Sequence, residues 1–281
     1  MQGDMSGVVD FLDTTGLTKS QQRVIDALER NPQLIPFADT AEVARRADVN
    51  NSTVVRTAQA LGYRGWPDLQ RELRARYLTM ISSEETLIEH GTYQSPLHRA
   101  LEQDSTNLRQ TFETNSQEDA DAAIAALADA GQIVVLGMGS FTGPASVLAH
   151  LGSIMGYRIT HEARGGVHLA STLNPLGEGD LVVLINLWRT QGQLQAAASA
   201  ARAAGARVLA ITDIRSGLVA SSADHVLIVP SEGISFFQSV TAATSLVYGL
   251  LAGMEAAHPE RSREALRRTQ QLWNELDIYL D

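Results

Sequence analysis

The sequence predicts a small all-α domain at the N-terminus, followed by a larger α/β domain built on a parallel sheet. The 281 residues are enough for two compact domains. Up to residue 80 the apolar residues recur only at helical spacing, whereas after Gly131 short apolar runs alternate with helical segments. Such alternation is typical of a parallel sheet that helices cover on both faces. We expect domains at 1–80 and 116–281, with 81–115 forming a helical connector and the first helix of the second domain.

Helix start and stop signals divide the first domain. Thr18 and Gln21 form a capping box ahead of an amphipathic segment, and Gly62 suits the left-handed conformation that ends many helices. The second and third helices are short and only a tight turn separates them, which is the pattern of a helix-turn-helix. The four predicted helices cover about 18–31, 40–47, 51–61 and 67–80.

The two short helices have the spacing that a helix-turn-helix needs. A small residue, Ala44, precedes a branched apolar residue, Val54, by ten positions, so the helices can pack closely. Asn and Arg side chains can make bidentate contacts to adenine and guanine edges, and hydroxyl groups reach phosphates or bases. The candidate DNA-reading residues at the exposed start of the second short helix are Asn50, Asn51, Ser52, Thr53 and Arg56.

The second domain shows strands between helices. A polar helical stretch comes first and carries a sparse apolar seam at Leu97, Leu101, Leu108 and Phe112. Short apolar runs then predict strands at 133–136, 158–161, 181–185, 208–212 and 226–229. Helices are predicted at about 117–130, 142–155, 191–204, 236–257 and 262–279.

The charge is unevenly distributed. A net charge of −10 argues against a nucleic-acid partner for the chain as a whole. Residues 1–80, however, carry ten basic and ten acidic side chains, so the acidity lies beyond them. Between positions 43 and 76 there are seven arginines and three acidic residues. A basic surface on the first domain is therefore expected.

Composition excludes several classes of protein. With 44% hydrophobic and 19% charged residues the chain is neither disordered nor fibrous. No apolar run approaches the roughly 20 residues that span a bilayer, and the acidic N-terminus differs from a signal peptide, so we expect a cytoplasmic protein with no membrane partner. The absence of cysteine excludes disulfides and thiolate chemistry, and the seven histidines lack paired ligand spacing, so we expect no metal and no cofactor.

The N-terminal residues resemble the DNA-binding domain of the RpiR family of bacterial regulators. The matching stretches are LTKSQQRV at 17–24, AEVA at 41–44, STVVR at 52–56, LGY at 61–63 and GWPDL at 65–69. The resemblance implies that the helix from Asn51 is the recognition helix, and it adds Lys19 and Arg64 to the candidate DNA contacts. Trp66 is expected in the core. Asp48 stands where many such turns have glycine, but aspartate tolerates a positive φ.

The second domain resembles a SIS domain, a flavodoxin-like sugar-isomerase fold that RpiR regulators carry at the C-terminus. Gly137 and Gly139 follow the first strand and open a helix, where backbone amides favour an anion. A glycine pair after a strand is also found in dinucleotide-binding domains, which remain an alternative. The matching stretches are IVVLGMGS at 133–140, GSIMGY at 152–157, DLVVLI at 180–185, ARAAGA at 201–206, ITD at 211–213 and SAD at 222–224.

Two departures from the SIS pattern bear on the ligand. Phe141 stands where sugar-phosphate sites usually have serine, and the loop after the third strand lacks the usual serines and glycine. The sequence therefore predicts a ligand other than an ordinary phosphosugar: Arg189 would bind a carboxylate, sulfonate or phosphate, and Phe141 and Trp188 would wall the pocket. A pocket filled by these side chains is the alternative. The candidate ligand-binding residues are Gly137, Gly139, Ser140, Phe141, Thr142, Asn186, Trp188, Arg189 and Thr190.

Together these patterns predict a transcriptional regulator, with repressor as the default and activator as the alternative. Its partners would be a double-stranded DNA operator, a small-molecule effector, and further copies in a homodimer or homotetramer. Two other classes stay open: a SIS-type sugar-phosphate isomerase with a helical extension, and a pure interaction module. Catalysis is not expected, because the candidate acid–base groups are scattered and each is interpreted as a surface or loop residue: Glu162, His168, Glu178 and Glu232.

Overall fold

The computed structural model describes residues 5–32, 35–91 and 93–279, without the side chains of residues 5, 6 and 35. Backbone contacts divide the chain into two compact units. Unit 1 comprises Met1–Gln94 with Ile234–Phe237, and unit 2 comprises Ser95–Gly233 with Gln238–Asp281. Each unit has a hydrophobic core of its own. The division between Gln94 and Ser95 falls inside the predicted connector.

The regular structure described in unit 1 is helical. Two short 3₁₀ turns, Met5–Val8 and Ile35–Phe37, accompany its α-helices. The helices are α1 Lys19–Arg30, α2 Thr40–Arg46, α3 Asn51–Ala60, α4 Trp66–Met80 and α5 Ser83–His90. The first four match the helices predicted from the sequence, and both halves of the Thr18–Gln21 capping box are formed at α1.

The core of unit 1 confirms the predicted helix-turn-helix packing. Ala44 is 3% exposed and Val54 is fully buried, so α2 and α3 meet at the expected pair. Trp66 is also buried, and its indole N–H donates to the carbonyl of Ala38 at 3.1 Å. The large apolar side chains of α1 and α4 complete this core. It holds α3 against its neighbours and leaves one face of α3 in solvent.

Unit 2 is an α/β domain with a five-stranded, all-parallel sheet. Its strands are β1 Ile133–Leu136, β2 Ile159–Glu162, β3 Leu181–Asn186, β4 Arg207–Thr212 and β5 His225–Ile228. Its helices are α6 Pro96–Thr114, α7 Gln117–Ala128, α8 Thr142–Ile154, α9 Gly166–Leu173, α10 Gly192–Ala203, α11 Leu218–Ser221, α12 Thr241–Ala257 and α13 Pro259–Glu275.

Helices cover both faces of the sheet, as predicted. One core contains side chains of α7, α8 and α12, and the other contains side chains of α9, α10 and α11. Helix α9 differs from the prediction, which placed no helix between β2 and β3. Helix α12 begins at Thr241 rather than near residue 236. Among the described residues, no helix is both long and apolar enough to cross a bilayer.

The strand order places a crevice at the centre of the sheet. The order β2-β1-β3-β4-β5 is that of flavodoxin-like folds, and its topological switch point lies between β1 and β3. Because chain connections leave β1 and β3 in opposite directions, their loops diverge at the carboxyl edge and leave room for a ligand. The residues after β1 and β3 therefore form the candidate ligand edge.

Candidate functional site

The turn between α2 and α3 is fixed by backbone hydrogen bonds. The N–H of Val49 donates to the carbonyl of Ala44 at 3.0 Å and that of Asp48 donates to Arg45 at 3.4 Å, which is a Schellman motif. Asp48 adopts φ 51°, confirming that aspartate takes the left-handed conformation here. Its carboxylate also pairs with Arg23 of α1 at 3.2 Å. This turn sets the direction in which α3 leaves α2.

Asn50 caps α3 and orders its first turn. Its Oδ1 accepts from the N–H of Thr53 at 2.8 Å, from the Thr53 hydroxyl at 2.8 Å and from the Ser52 hydroxyl at 2.7 Å. Thr53 is only 6% exposed, because the third position of α3 falls on the face that packs into unit 1. The structure thus corrects the placement of Thr53, which was expected among the exposed reading residues.

Three predicted reading residues share the exposed face of α3. Asn51, Ser52 and Arg56 are exposed, and Asn50 is exposed directly before them. The guanidinium Nη2 of Arg56 donates to the Ser52 hydroxyl at 3.3 Å. That contact holds the Arg56 side chain along the helix towards its N-terminus. Amide, hydroxyl and guanidinium groups therefore lie on one surface, as the sequence predicted.

The other two predicted contacts, Lys19 and Arg64, lie outside α3. The side-chain amide of Gln21 donates to the carbonyl of Arg56 at 3.4 Å, so the start of α1 borders the middle of α3. Lys19, two residues before Gln21, is exposed at that start. Arg64 lies beyond the C-terminus of α3, where its backbone carbonyl accepts from the side-chain amide of Gln59 at 3.4 Å. Sequence reasoning did not single out Gln21 as the residue that joins α1 to α3.

The loop after β1 is folded tightly. A Cβ on Gly137 would lie 2.7 Å from the Cβ of Ala145 and 2.7 Å from the carbonyl oxygen of Phe141, so glycine is required there. The carbonyl of Gly137 accepts from the Thr142 hydroxyl at 3.1 Å and lies 2.9 Å from Nε2 of His161. Gly139 has φ 61°, and Ser140 beside it is exposed. The exposed hydroxyl of Ser140 is thus held at the switch point.

Phe141, which was expected to wall the pocket, is buried. Its side chain is 7% exposed and belongs to the core shared by α7, α8 and α12. Phe141 ends the short 3₁₀ turn Gly139–Phe141, directly before α8. The ring of Phe141 therefore packs among core side chains, and its contact with a ligand stays a prediction.

The loop after β3 is held by a buried acidic residue. Trp188 has φ 93°, and its backbone N–H donates to Oδ1 of Asp213 at 2.9 Å. Oδ2 of Asp213 accepts from the Ser231 hydroxyl at 2.9 Å, so the loops that follow β3, β4 and β5 are tied together. The guanidinium of Arg189 lies 4.6 Å from the Trp188 ring centroid. In the sequence Asp213 belongs only to a matching stretch and Ser231 to none, so neither was a candidate site residue.

Asn186, Arg189 and Thr190 differ in exposure. Asn186 ends β3 and is 1% exposed, and among the described residues its Oδ1 has no hydrogen-bond partner. Arg189 and Thr190 are exposed, and Trp188 is half-buried. An unpaired buried amide oxygen is costly unless water or a ligand supplies a donor. The predicted site thus combines an exposed cation with a buried, unsatisfied acceptor.

Glu162 at the end of β2 is buried, contrary to the expectation of a surface or loop residue. Its carboxylate accepts from Arg164 Nη2 at 2.8 Å, from the Arg164 N–H at 2.6 Å and from the Thr172 hydroxyl at 3.3 Å. The hydrogen bonds from Arg164 lower the pKa of Glu162 to about 2.

Among the described residues, no group of three or more acidic or histidine side chains could hold a metal ion.

Comparison with known proteins identifies both parts of the chain. Residues 13–80 match the family described as "Helix-turn-helix domain, rpiR family", and residues 126–253 match the SIS domain. The sugar isomerase domain of an RpiR transcription factor from Sphaerobacter thermophilus is 31% identical, with a TM-score of 0.61, and the match covers 63% of this chain and 99% of that one. The chain belongs to the RpiR family.

Other similar proteins span more of this RpiR chain. An uncharacterized HTH-type transcriptional regulator of Escherichia coli, YfhH, is 26% identical over 77% of this chain and 78% of its own length. The NanR protein of Vibrio vulnificus, solved with ManNAc-6P, shares the fold with a TM-score of 0.58 and 18% identity over 95% of this chain and 96% of its own. The bifunctional protein glk of Burkholderia thailandensis is longer, and the RpiR chain spans 34% of it at 26% identity. The pairing of an RpiR helix-turn-helix with a SIS domain fits DNA-binding transcription regulation.

Proposed function

We propose that the chain is a transcriptional repressor that binds a near-palindromic operator through α3 of two copies. A small anionic metabolite at the β1/β3 switch point would control its operator affinity. The observation that carries the proposal is the exposed N-terminal half of α3, where Asn51, Ser52 and Arg56 present an amide, a hydroxyl and a guanidinium on one surface. These groups are the ones that read base edges in the major groove.

Three further features support DNA binding by this surface. The cap by Asn50 leaves the start of α3 well ordered, and a helix N-terminus favours a phosphate. Lys19 lies at the bordering start of α1, and Arg45 is exposed in the last turn of α2. Lys19 and Arg45, the latter paired with Glu42, add basic groups beside the reading surface, and basic groups there favour contact with the DNA backbone.

Footprinting on the DNA that flanks the chain's own gene tests this proposal. The wild-type protein should protect a site with two similar halves about one or two helical turns apart. Arg56→Ala should weaken protection about 10-fold or more. Arg30→Ala is the matched control, because Arg30 is an exposed arginine at the opposite end of α1, and it should leave protection unchanged. Equal protection by wild type and Arg56→Ala would contradict the proposal.

The effector proposal rests on the loops at the switch point. Arg189 is exposed beside Trp188, and the hydroxyl of Ser140 is exposed on the neighbouring loop. The buried Oδ1 of Asn186 can accept from a ligand hydroxyl or amide. An anion with a flat or apolar part and one donor group fits this set better than an ordinary phosphosugar does, and its anionic group would be a carboxylate, sulfonate or phosphate.

Calorimetry with a panel of carboxylates and phosphates that includes ManNAc-6P tests the effector site. A binder should be found, and Arg189→Ala should abolish its binding. Arg158→Ala is the control, because Arg158 is exposed at the amino end of β2, on the opposite edge of the sheet. The proposed site would be contradicted if no member of the panel bound to the wild-type protein. It would also be contradicted if Arg189→Ala bound the ligand as tightly as Arg158→Ala.

We propose no isomerase activity for the SIS domain. Isomerisation of a sugar phosphate needs a carboxylate or histidine that exchanges a proton near neutral pH. Two buried carboxylates lie near the ligand edge. Asp213 accepts from the Trp188 N–H and the Ser231 hydroxyl, and Glu162 is engaged by Arg164 and Thr172, which hold its pKa at about 2. A standard aldose–ketose assay with sugar phosphates should show no turnover, and turnover that Glu162→Gln abolishes would favour the enzyme alternative.

A further inference from the structure

An exposed ion pair lies beside the start of the reading helix. Nη1 of Arg23, in the middle of α1, donates to Oδ2 of Asp48 at 3.2 Å. Asp48 belongs to the turn between α2 and α3, two residues before the cap Asn50. The Arg23 side chain is 50% exposed, and that of Asp48 is 97% exposed. The pair is therefore open to solvent next to the residues that are expected to read DNA.

The fold of the turn does not require an acidic side chain at position 48. Asp48 adopts φ 51°, which glycine takes without strain and asparagine tolerates as well as aspartate does. The backbone hydrogen bonds of the turn come from the N–H groups of Asp48 and Val49, and glycine or asparagine would leave both in place. Many such turns have glycine at this position. The shape of the turn therefore does not account for the negative charge.

Arg23 lies where it can reach the DNA backbone. Lys19 and Arg23 are four residues apart, so they share one face of α1, and both side chains are exposed. A recognition helix enters the major groove with its N-terminal residues at the base edges, so groups beside that end lie near the phosphates that border the groove. A guanidinium can hold a phosphate through two parallel hydrogen bonds. Because an exposed ion pair is weak, Arg23 can exchange Asp48 for a phosphate.

We propose that Arg23 binds a DNA phosphate beside each half-site and that Asp48 competes with this phosphate for the guanidinium. The carboxylate of Asp48 also repels the phosphate directly, because the two groups carry charge of the same sign. Both effects weaken binding to any duplex, since a phosphate contact carries no sequence information. Asp48 thus limits how tightly unit 1 holds the DNA backbone and leaves more of the operator affinity to the base contacts of α3. The competition rests on the proposed binding of DNA by unit 1.

Fluorescence anisotropy of the full chain with a labelled random-sequence duplex at low salt tests the competition. Asp48→Asn and Asp48→Gly should each lower the dissociation constant about 3- to 10-fold. Glu29→Gln is the matched control, because Glu29 is an exposed carboxylate near the C-terminal end of α1, and it should leave the dissociation constant unchanged. Thermal melts should show all these variants folded, because the replaced carboxylates face solvent.

The salt dependence shows whether Asp48 acts through Arg23. Arg23→Ala should reduce the slope of log Kd against log salt concentration by about 0.9 for each copy on the duplex, because one phosphate contact is lost. Arg30→Ala, at the far end of α1, is the control and should keep the wild-type slope. In the Arg23→Ala background, Asp48→Asn should improve binding by less than half the factor that it gives in wild type, because only the direct repulsion is left to remove.

Several results would overturn the proposal. One is an unchanged dissociation constant in both Asp48 variants, and another is an unchanged salt slope in Arg23→Ala. An equal gain from Asp48→Asn with and without Arg23 would mean that Arg23 does not mediate the effect. A wild-type protein that binds no duplex at low salt would overturn the proposal as well. Random-sequence DNA needs no operator, so footprinting at the operator and this competition can fail separately.

Discussion

Replacing Asn50 separates the stability of α3 from its contact with DNA. Asn50→Ala removes the acceptor of three hydrogen bonds, two from Thr53 and one from Ser52. Asn50→Asp keeps an acceptor oxygen and adds a negative charge, which the positive end of the helix dipole favours. We therefore expect Asn50→Ala to destabilise unit 1, and Asn50→Asp to preserve its stability while weakening its binding to DNA.

The size of the effect follows from the bonds that are lost. An N-cap replaced by alanine costs about 0.5–2 kcal/mol. A buried hydroxyl without a partner costs about 1–3 kcal/mol, and Thr53 is only 6% exposed. Because these costs overlap and the hydroxyl can partly reorient, we expect Asn50→Ala to lower the free energy of unfolding by about 2 kcal/mol. In a domain of this size the midpoint temperature of thermal unfolding would fall by about 10 °C.

Tryptophan fluorescence can measure this loss in the full chain. The chain has three tryptophans, of which Trp66 is buried in unit 1. With Trp188 and Trp273 replaced by phenylalanine, urea denaturation followed at Trp66 reports the unfolding of unit 1. The parent for comparison is the variant with Trp66 as its single tryptophan. If Asn50→Ala changed the free energy of unfolding of that parent by less than about 0.5 kcal/mol, the cap would not have the role that its hydrogen bonds imply. Operator binding by Asn50→Asp at wild-type strength would place this residue away from the DNA.

Two further predictions concern unit 2. Gly137→Ala should destabilise it by about 1–3 kcal/mol, because the new Cβ would lie 2.7 Å from the Cβ of Ala145. Gly143→Ala is the control, because a Cβ there meets nothing within 4 Å, and it should leave the thermal stability unchanged or raise it. If both variants lost the same free energy of unfolding, the close contact between Gly137 and Ala145 would be contradicted. Folding lowers the pKa of Glu162 from an ordinary value near 4.5 to about 2. The ionised carboxylate therefore adds to the free energy of unfolding of unit 2 in full above pH 4.5, and this stabilisation is lost as the pH drops towards 2. Glu162→Gln should flatten the stability of unit 2 across that window, and an unchanged pH profile would mean that Arg164 does not stabilise the carboxylate.

Local signals in the sequence account for most of the fold. The capping box at Thr18, the pairing of Ala44 with Val54 and the glycine at Gly62 each depend on a few neighbouring residues, and the structure has all three. The strands were predictable because their burial on both faces requires nearly continuous apolar runs. Helix α9 was missed because Gly165 and Gly166 at its start interrupt the helical signal.

The sites were less predictable, because they depend on which face a side chain takes. Thr53 looked like a reading residue by type, but the pitch of α3 turns it into unit 1. Phe141 looked like a pocket wall, but its ring packs among core side chains. Asp213 and Ser231 could not be connected with Trp188, because only the folded sheet brings their loops together. A polar residue gives no sequence signal for a partner so distant in the chain.

The most direct test of DNA reading by α3 is a base-pair scan of the operator with wild type and Arg56→Ala. Each guanine in one half-site is replaced in turn, and affinities are measured at a fixed salt concentration. At one position the replacement should weaken wild type about 10-fold and leave Arg56→Ala unaffected, because arginine contacts guanine through two hydrogen bonds. If Arg56→Ala instead bound every operator more weakly by the same factor, Arg56 would contact only phosphate, and α3 would not read sequence through it.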